Sequence, residues 1–290
     1  MKAFNKHIFA FLGPTVICLS LGLILPLLSL FIMSFTNLEL GFSQESFSFI
    51  GLTNYSNLIH NESTWKSISV TILFVLITVS IETVIGLILA LFMATKFKGQ
   101  FFIKALLVLP MMIAPIVVGL VWRYLFDNRF GPINYLLSNI GIHQPLWLAD
   151  QTWAFISILI TDIWQWTPFM FMIILAGLQG IPKNLIEAAK IDGASEIQMI
   201  KYIKIPYIKK VILFAMLLRL TDAFKVLEVI FIMTFGGPGL STEVLSLHLY
   251  KIAFIGQQFG KAAALSILFF LLSLGISTLV LKQRKSPNKL

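Results

Sequence analysis

ISVTILFVLITVSIETVIGLILALFMA, residues 68–94, holds a single charged side chain, Glu82, in a run that is otherwise apolar or weakly polar. About 20 such residues cross the hydrocarbon core of a bilayer as a helix, and lipid offers no partner to a bare peptide group, so the run is expected to be a transmembrane helix. Glu82 sits near its middle. A charge there costs at least about 2.5–3.5 kcal/mol on insertion scales, so it needs a partner or water.

Outward from this span the same pattern repeats. Further apolar runs cover about 8–35, 104–126, 153–178, 211–235 and 262–282. The whole chain of 290 residues is 58% hydrophobic and 12% charged, half the charge of an ordinary soluble domain. The expected fold is an all-α membrane protein, one domain over 1–290, with six transmembrane helices in a bundle. Gly86, Gly119, Ala176, Gly177 and Gly275 offer points of close helix contact. The first run follows Lys2 and Lys6, but it is too long for a signal peptide and no small-residue cleavage site follows it. It therefore counts as a span, kinked at Pro14 and Pro26, with Cys18, the one cysteine, packed inside it.

Basic residues set the orientation, because cytoplasmic loops are enriched in them. One set of segments holds Lys2 and Lys6, then Lys96, Lys98 and Lys104, then Lys183, Lys190, Lys201, Lys204, Lys209 and Lys210, then Lys282, Arg284, Lys285 and Lys289; the other holds only Lys66, Arg129, Lys251 and Lys261. Both termini are thus expected in the cytoplasm, and Trp65, Trp122, Trp147 and Trp153 fall near the outer boundary. The net charge of +9 reflects this bias and a lipid bilayer partner. No basic patch interleaved with exposed aromatics points to nucleic acid.

The longest inner segment, 179–210, contains EAAKIDGASEIQMIKYIKIP at 187–206. Pro182 suits the first turn of a helix through Leu185, Ile186, Ala188 and Ala189, broken at Asp192-Gly193. Ser195 with Gln198 three residues on reads as a capping box, and Pro206 is expected to end the second short helix. Such a pair can lie at the interface with its lysines on lipid headgroups.

Glu187-Ala188-Ala189, Asp192-Gly193-Ala194, Ile203 and Ile205-Pro206 resemble the EAA loop of permease subunits in binding-protein-dependent ABC importers. Phe49-Ile50-Gly51-Leu52-Thr53-Asn54-Tyr55, Gly131-Pro132-Ile133-Asn134, Ala176-Gly177-Leu178-Gln179 and Met233-Thr234-Phe235-Gly236-Gly237-Pro238-Gly239 extend the resemblance along nearly the whole chain, toward the carbohydrate-uptake branch and its first permease subunit. The resemblance implies a type I importer permease bundle in a bacterial or archaeal cell membrane. It implies a coupling role for Glu187, Ala188, Ala189, Asp192, Gly193 and Pro206, and a contact of Gly236, Gly237 and Pro238 with a solute-binding protein. The implied partners are a related second permease subunit, two ATP-binding subunits and an extracytoplasmic solute-binding protein. ATP and magnesium would sit on the ATPase, with no cofactor in this chain.

Other charges lie at membrane depth. Arg219, Asp222, Lys225 and Glu228 alternate in sign at three-residue steps and wind around span five. They line a wet path or form an internally paired strut. Asp162 opens Asp162-Ile163-Trp164-Gln165-Trp166-Thr167-Pro168, where Trp164 and Trp166 either meet a sugar's apolar faces or pack around Pro168. Glu82, Asp162, Trp164, Trp166, Asp222 and Lys225 are the candidate path residues. Arg123 is expected to snorkel. No catalytic or metal-ligating set is expected: His7, His60, His143 and His248 lie at or outside the span ends, and no G-x-S-x-G, H-E-x-x-H or G-x-x-x-x-G-K-[ST] occurs. An intramembrane enzyme, a channel and a permease for glycerol-phosphate-type solutes are the rival readings.

Overall fold

The computed structural model describes residues 2–39, 48–95 and 97–284. Lys96, Lys285 and Lys289, used above for orientation, lie outside them. The chain runs α1 Lys2–Met33, α2 Thr53–Ile59, α3 Glu62–Met93, α4 Gln100–Met112, α5 Pro115–Leu125, α6 Pro132–Asn139 and α7 Gln151–Gln179. It continues through α8 Lys183–Ile191, α9 Glu196–Met199, a π-helical turn Ile200–Lys204, α10 Ile205–Ala223, α11 Glu228–Met233, α12 Leu245–Tyr250, a second π turn Lys251–Ile255 and α13 Phe259–Arg284. Among the described residues the only β structure is two isolated bridges, Thr36 with Phe49 and Glu39 with Gln258.

Four described segments are single helices long and apolar enough to cross a bilayer: Leu12–Met33, Glu62–Met93, Gln151–Gln179 and Phe259–Ile276. The other two expected spans are broken. The run 104–126 is α4 and α5 joined at a bend of 97°. Ala114 precedes Pro115, and the proline ring drives its neighbour out of the helical region, to φ −58° and ψ 135°. The run 211–235 divides where α10 stops at Ala223 and α11 resumes at Glu228.

The described residues pack as two units, those within 2–64 with 248–272, and those within 65–247 with 273–284. In the first, the end of α1 is tied down by side chains. Asn54 Nδ2 donates to the carbonyls of Ser34 (3.0 Å) and Thr36 (2.8 Å), and the amide of Gly260 donates to Leu38. Cys18 is exposed, so the packing expected for it is not made within this chain.

In the second unit, α3, α7 and α10 enclose a core that includes Met170, Phe171, Ile174, Ile208 and Ala215. Helices in lipid are held by close packing rather than by escape from water. Gly86 lets α3 lie directly on α7, since a Cβ there would stand 2.8 Å from Met170 Cβ and 2.9 Å from the amide nitrogen of Phe171. Gly177 makes a similar approach to Val211, and Gly119 to Val229 and Ile232, whereas a Cβ on Gly275 would meet nothing within 4 Å. Asp150 caps α7 by accepting from the amides of Thr152 and Trp153 at 2.9 and 3.0 Å.

Candidate functional site

The charge that opened the sequence has its partner. Arg219 of α10 is 1% exposed and donates from Nε and Nη2 to the two oxygens of Glu82 at 2.8 and 3.0 Å. The same Nη2 also donates to Asp162 Oδ2, while Nη1 reaches Asp222 at 3.4 Å. One guanidinium therefore joins α3, α7 and α10, and its planar fork suits the paired geometry. Its Cζ lies 5.2 Å from the Trp166 ring centre. Of the four charges in the alternating ladder, Arg219 and Asp222 pair with each other.

Beside this cluster lies a cavity of about 270 Å³. Asp162, Trp166, Arg219, Asp222, Lys225 and Glu228 bring charge and one indole to its wall, and Pro115, Val226 and Val229 complete it. Four of the six path candidates thus meet. Glu82 does not line the cavity; it stands behind Arg219, fully buried. Trp164, two residues from Trp166, points to another face of α7, where it is 41% exposed and lines an apolar groove with Pro110, Leu107 and Ile85.

Both broken spans border this cavity, and that is what makes them tolerable at membrane depth. Irregular backbone inside a bilayer must be buried in protein or line a cavity, with its freed groups satisfied. At the α4–α5 bend, Gln165 Nε2 donates to the carbonyl of Ile113 at 3.1 Å. At the α10–α11 break, the hydroxyl of Ser246 donates to the carbonyl of Val226. Sequence reasoning missed both caps. The span expected over 104–126 was unbroken, although Pro115 offered a signal for its break, while 224–227 contains no proline or glycine to signal the second.

The 179–210 segment is built largely as expected. α8 carries Glu187 and Ala188 exposed and Ala189 buried, and Asp192 closes it. Gly193 then takes φ +76°, a left-handed turn with nothing within 4 Å of a would-be Cβ, so its demand is conformational rather than steric. The capping box is present: Gln198 N donates to Ser195 Oγ at 3.3 Å and Ser195 N to Gln198 Oε1 at 2.7 Å. Pro206 does not end a helix. It lies in the first turn of α10, after the π turn, where a missing N–H is tolerated and the chain stays helical. Ile191 and Ile197 are 86% and 77% exposed on this surface.

The segments around α6 and after α11 are pinned by hydrogen bonds. The aromatic ring of Trp147 is buried, tilted against Phe126 and edge-on to Trp153, with Nε1 donating to Asn134 Oδ1 at 2.8 Å. Asp127 accepts from the amides of Phe130 and Arg129, which hold its carboxyl below the usual carboxylate range. In the 236–239 turn, Gly236 is buried and Thr242 donates to the carbonyl of Gly237 at 2.9 Å, so Gly236, Gly237 and Pro238 are partly tucked in. Arg123 Nη1 donates to the carbonyl of Ile232 at 3.0 Å instead of only reaching outward.

Residues 82–287 match the family model described as binding-protein-dependent transport system inner membrane component. The chain belongs to this family. It is 38% identical over 234 residues to the trehalose/maltose transport system permease protein MalF of Thermococcus litoralis, covering 81% of this chain and 79% of that one. It is 33% identical to the sulfoquinovosyl glycerol transport system permease protein SmoG of Agrobacterium fabrum, covering 93% and 88%. A chain from a bacterial ABC transporter that imports the acidic polysaccharide alginate superposes with a TM-score of 0.86 at 23% identity, over 98% of each chain. That likeness establishes the fold, a type I ABC importer permease bundle. Such family members are transport components of membranes, and the described helices suit that setting.

Proposed function

We propose that this chain is one half of the transmembrane pathway of an ATP-driven importer for a sugar or oligosaccharide. A related second permease subunit supplies the other half, an extracytoplasmic solute-binding protein delivers the solute, and two separate ATPase subunits drive the cycle with ATP and magnesium. Both termini lie in the cytoplasm, and the chain crosses the cell membrane six times when each broken run counts as one crossing. The observation that carries the reading is the cavity at the two helix breaks. It joins an indole to carboxylates and cations at membrane depth, as a ligand with both apolar ring faces and hydroxyl groups requires. The named substrates of the two permease relatives, trehalose/maltose and sulfoquinovosyl glycerol, support a saccharide.

Energy reaches the bundle through 179–210. α8, α9 and the continuous π turn into α10 form one mechanical path from the exposed Glu187 face to Arg219. Closure of the ATPase on ATP would displace α8 and move α10, which the Arg219 cluster ties to α3 and α7. The rivals are an enzyme and a passive channel. In proteoliposomes of the assembled complex, Glu187→Arg is expected to leave the protein in the membrane yet abolish ATP-dependent uptake. Normal uptake by that variant would remove the docking role. Asp222→Ala is expected to change apparent affinity or rate of uptake while ATPase association persists; loss of assembly alone would make the ladder a strut.

A further inference from the structure

The cavity has a sign. Its guanidinium is already engaged, with four of its five N–H donors directed at Glu82, Asp162 and Asp222. The remaining cation, Lys225, is exposed and stands between Asp222 and Glu228 at three residues on either side. Asp162 is 1% exposed and is one of the residues that line the cavity, and its buried Oδ1 has no hydrogen-bond partner. A buried acceptor left unmatched is costly, and a ligand that donates to it removes that cost. Pro115 opens α5 at the cavity with no N–H of its own, and the Val117 and Val118 amides are bonded to the Ala114 carbonyl, so these three positions offer no free donor to an anion.

We propose that the cavity selects a saccharide that is neutral or carries an amino group, and rejects uronates, sulfonates and phosphorylated sugars. The proposal rests on the pathway reading above and narrows its solute. Hydroxyl and ammonium groups donate to the exposed carboxylates of Asp222 and Glu228, with Asp162 adding negative charge behind them, whereas carboxylate, sulfonate and phosphate oxygens accept and meet like charge. The solute proposed here thus differs in charge both from the acidic polysaccharide of the alginate importer and from the sulfonated sugar named for the SmoG relative.

The test labels the cavity itself. Val226→Cys in a Cys18→Ser background, in the complex with its partner subunits in lipid nanodiscs, is reacted with N-ethylmaleimide in the presence of glucose, glucosamine or glucuronate, three hexose-derived probes that differ in charge. Glucose and glucosamine are expected to slow labelling, and glucuronate to require at least about tenfold higher concentration for the same protection. Adding Asp222→Asn and Glu228→Gln is expected to close most of that gap. Equal protection by all three, protection by glucuronate alone, or protection by none overturns the proposal. Stimulation of ATP hydrolysis by the binding protein, measured on the Cys18→Ser complex that retains Val226, reports the importer reading separately. Its absence sinks that reading, while its presence with a failed protection pattern sinks only the charge selection.

Discussion

Buried ions are tolerated as a set. With Glu82 and Asp162 at 0% and 1% exposure, removing Arg219 leaves two carboxylates without their cation, and breaking a buried pair costs about 3–5 kcal/mol. Arg219→Met is therefore predicted to lower the melting temperature and yield in detergent sharply. Glu82→Gln, which keeps one acceptor for the guanidinium, is predicted to cost about 1–3 kcal/mol. Removing all three charges together, as Glu82→Gln, Asp162→Asn and Arg219→Met, should recover most of the loss. A triple variant no more stable than Arg219→Met would show that shape, not charge, is what the cluster supplies. Glu82, Asp162 and Arg219 were each visible in the sequence because a charge stands out against an apolar run. Their pairing was not, because the partners lie 137 and 57 residues apart and no local pattern names a distant partner.

Elements were legible where their signal is local. The capping box at Ser195 and the turn at Gly193 follow from short-range chemistry, and Pro115 carried the same kind of signal for the α4–α5 bend, where an unbroken span was expected. Pro206 misled because proline reads as a terminator, while a π turn ahead of it lets the helix run on. Small residues also read alike until packing distinguishes them. Gly86→Ala places a methyl against Met170 and Phe171 and is predicted to destabilise by about 1–3 kcal/mol through forced separation of α3 and α7. Gly275→Ala, with open space around it, is predicted to leave the melting temperature unchanged or raise it slightly, as alanine favours helix. Equal effects in a thermal melt would remove the close-contact argument. In the turn after α5, the Asp127 carboxyl is held below its ordinary range when folded, so its contribution is present above the unfolded value and fades as pH falls through the folded one. Hydrogen exchange at the amides of Arg129 and Phe130, corrected for intrinsic rates, should accelerate on acidification in the wild type and be insensitive to it in Asp127→Asn.

At the scale of the whole molecule, the fold class was readable from composition and run length alone, because a bilayer permits so few spanning structures. What a single chain does not contain is the surface that would cover its exposed apolar side chains or receive the protruding Ile191 and Ile197. If α8 and α9 engage an ATPase while the membrane helices engage a second permease subunit, the two contacts are separable by mutation. Glu187 is exposed on α8, and the close contacts of the packing glycines Gly86 and Gly119 involve no residue of α8, so Glu187→Arg changes one charge on the proposed docking face and leaves those helix contacts in place. Purified with a tag from its own membranes in mild detergent, the wild type is predicted to bring both partners, identified by mass spectrometry as a second multi-span subunit and a nucleotide-binding subunit. The Glu187→Arg variant is predicted to keep the first and lose at least about 90% of the second, the loss that about 1.4 kcal/mol would produce at subsaturating concentration. Retention of both partners would mean that coupling does not pass through this face of α8. Loss of both would mean that the ATPase holds the permease halves together, and that the bundle alone is not the assembly interface.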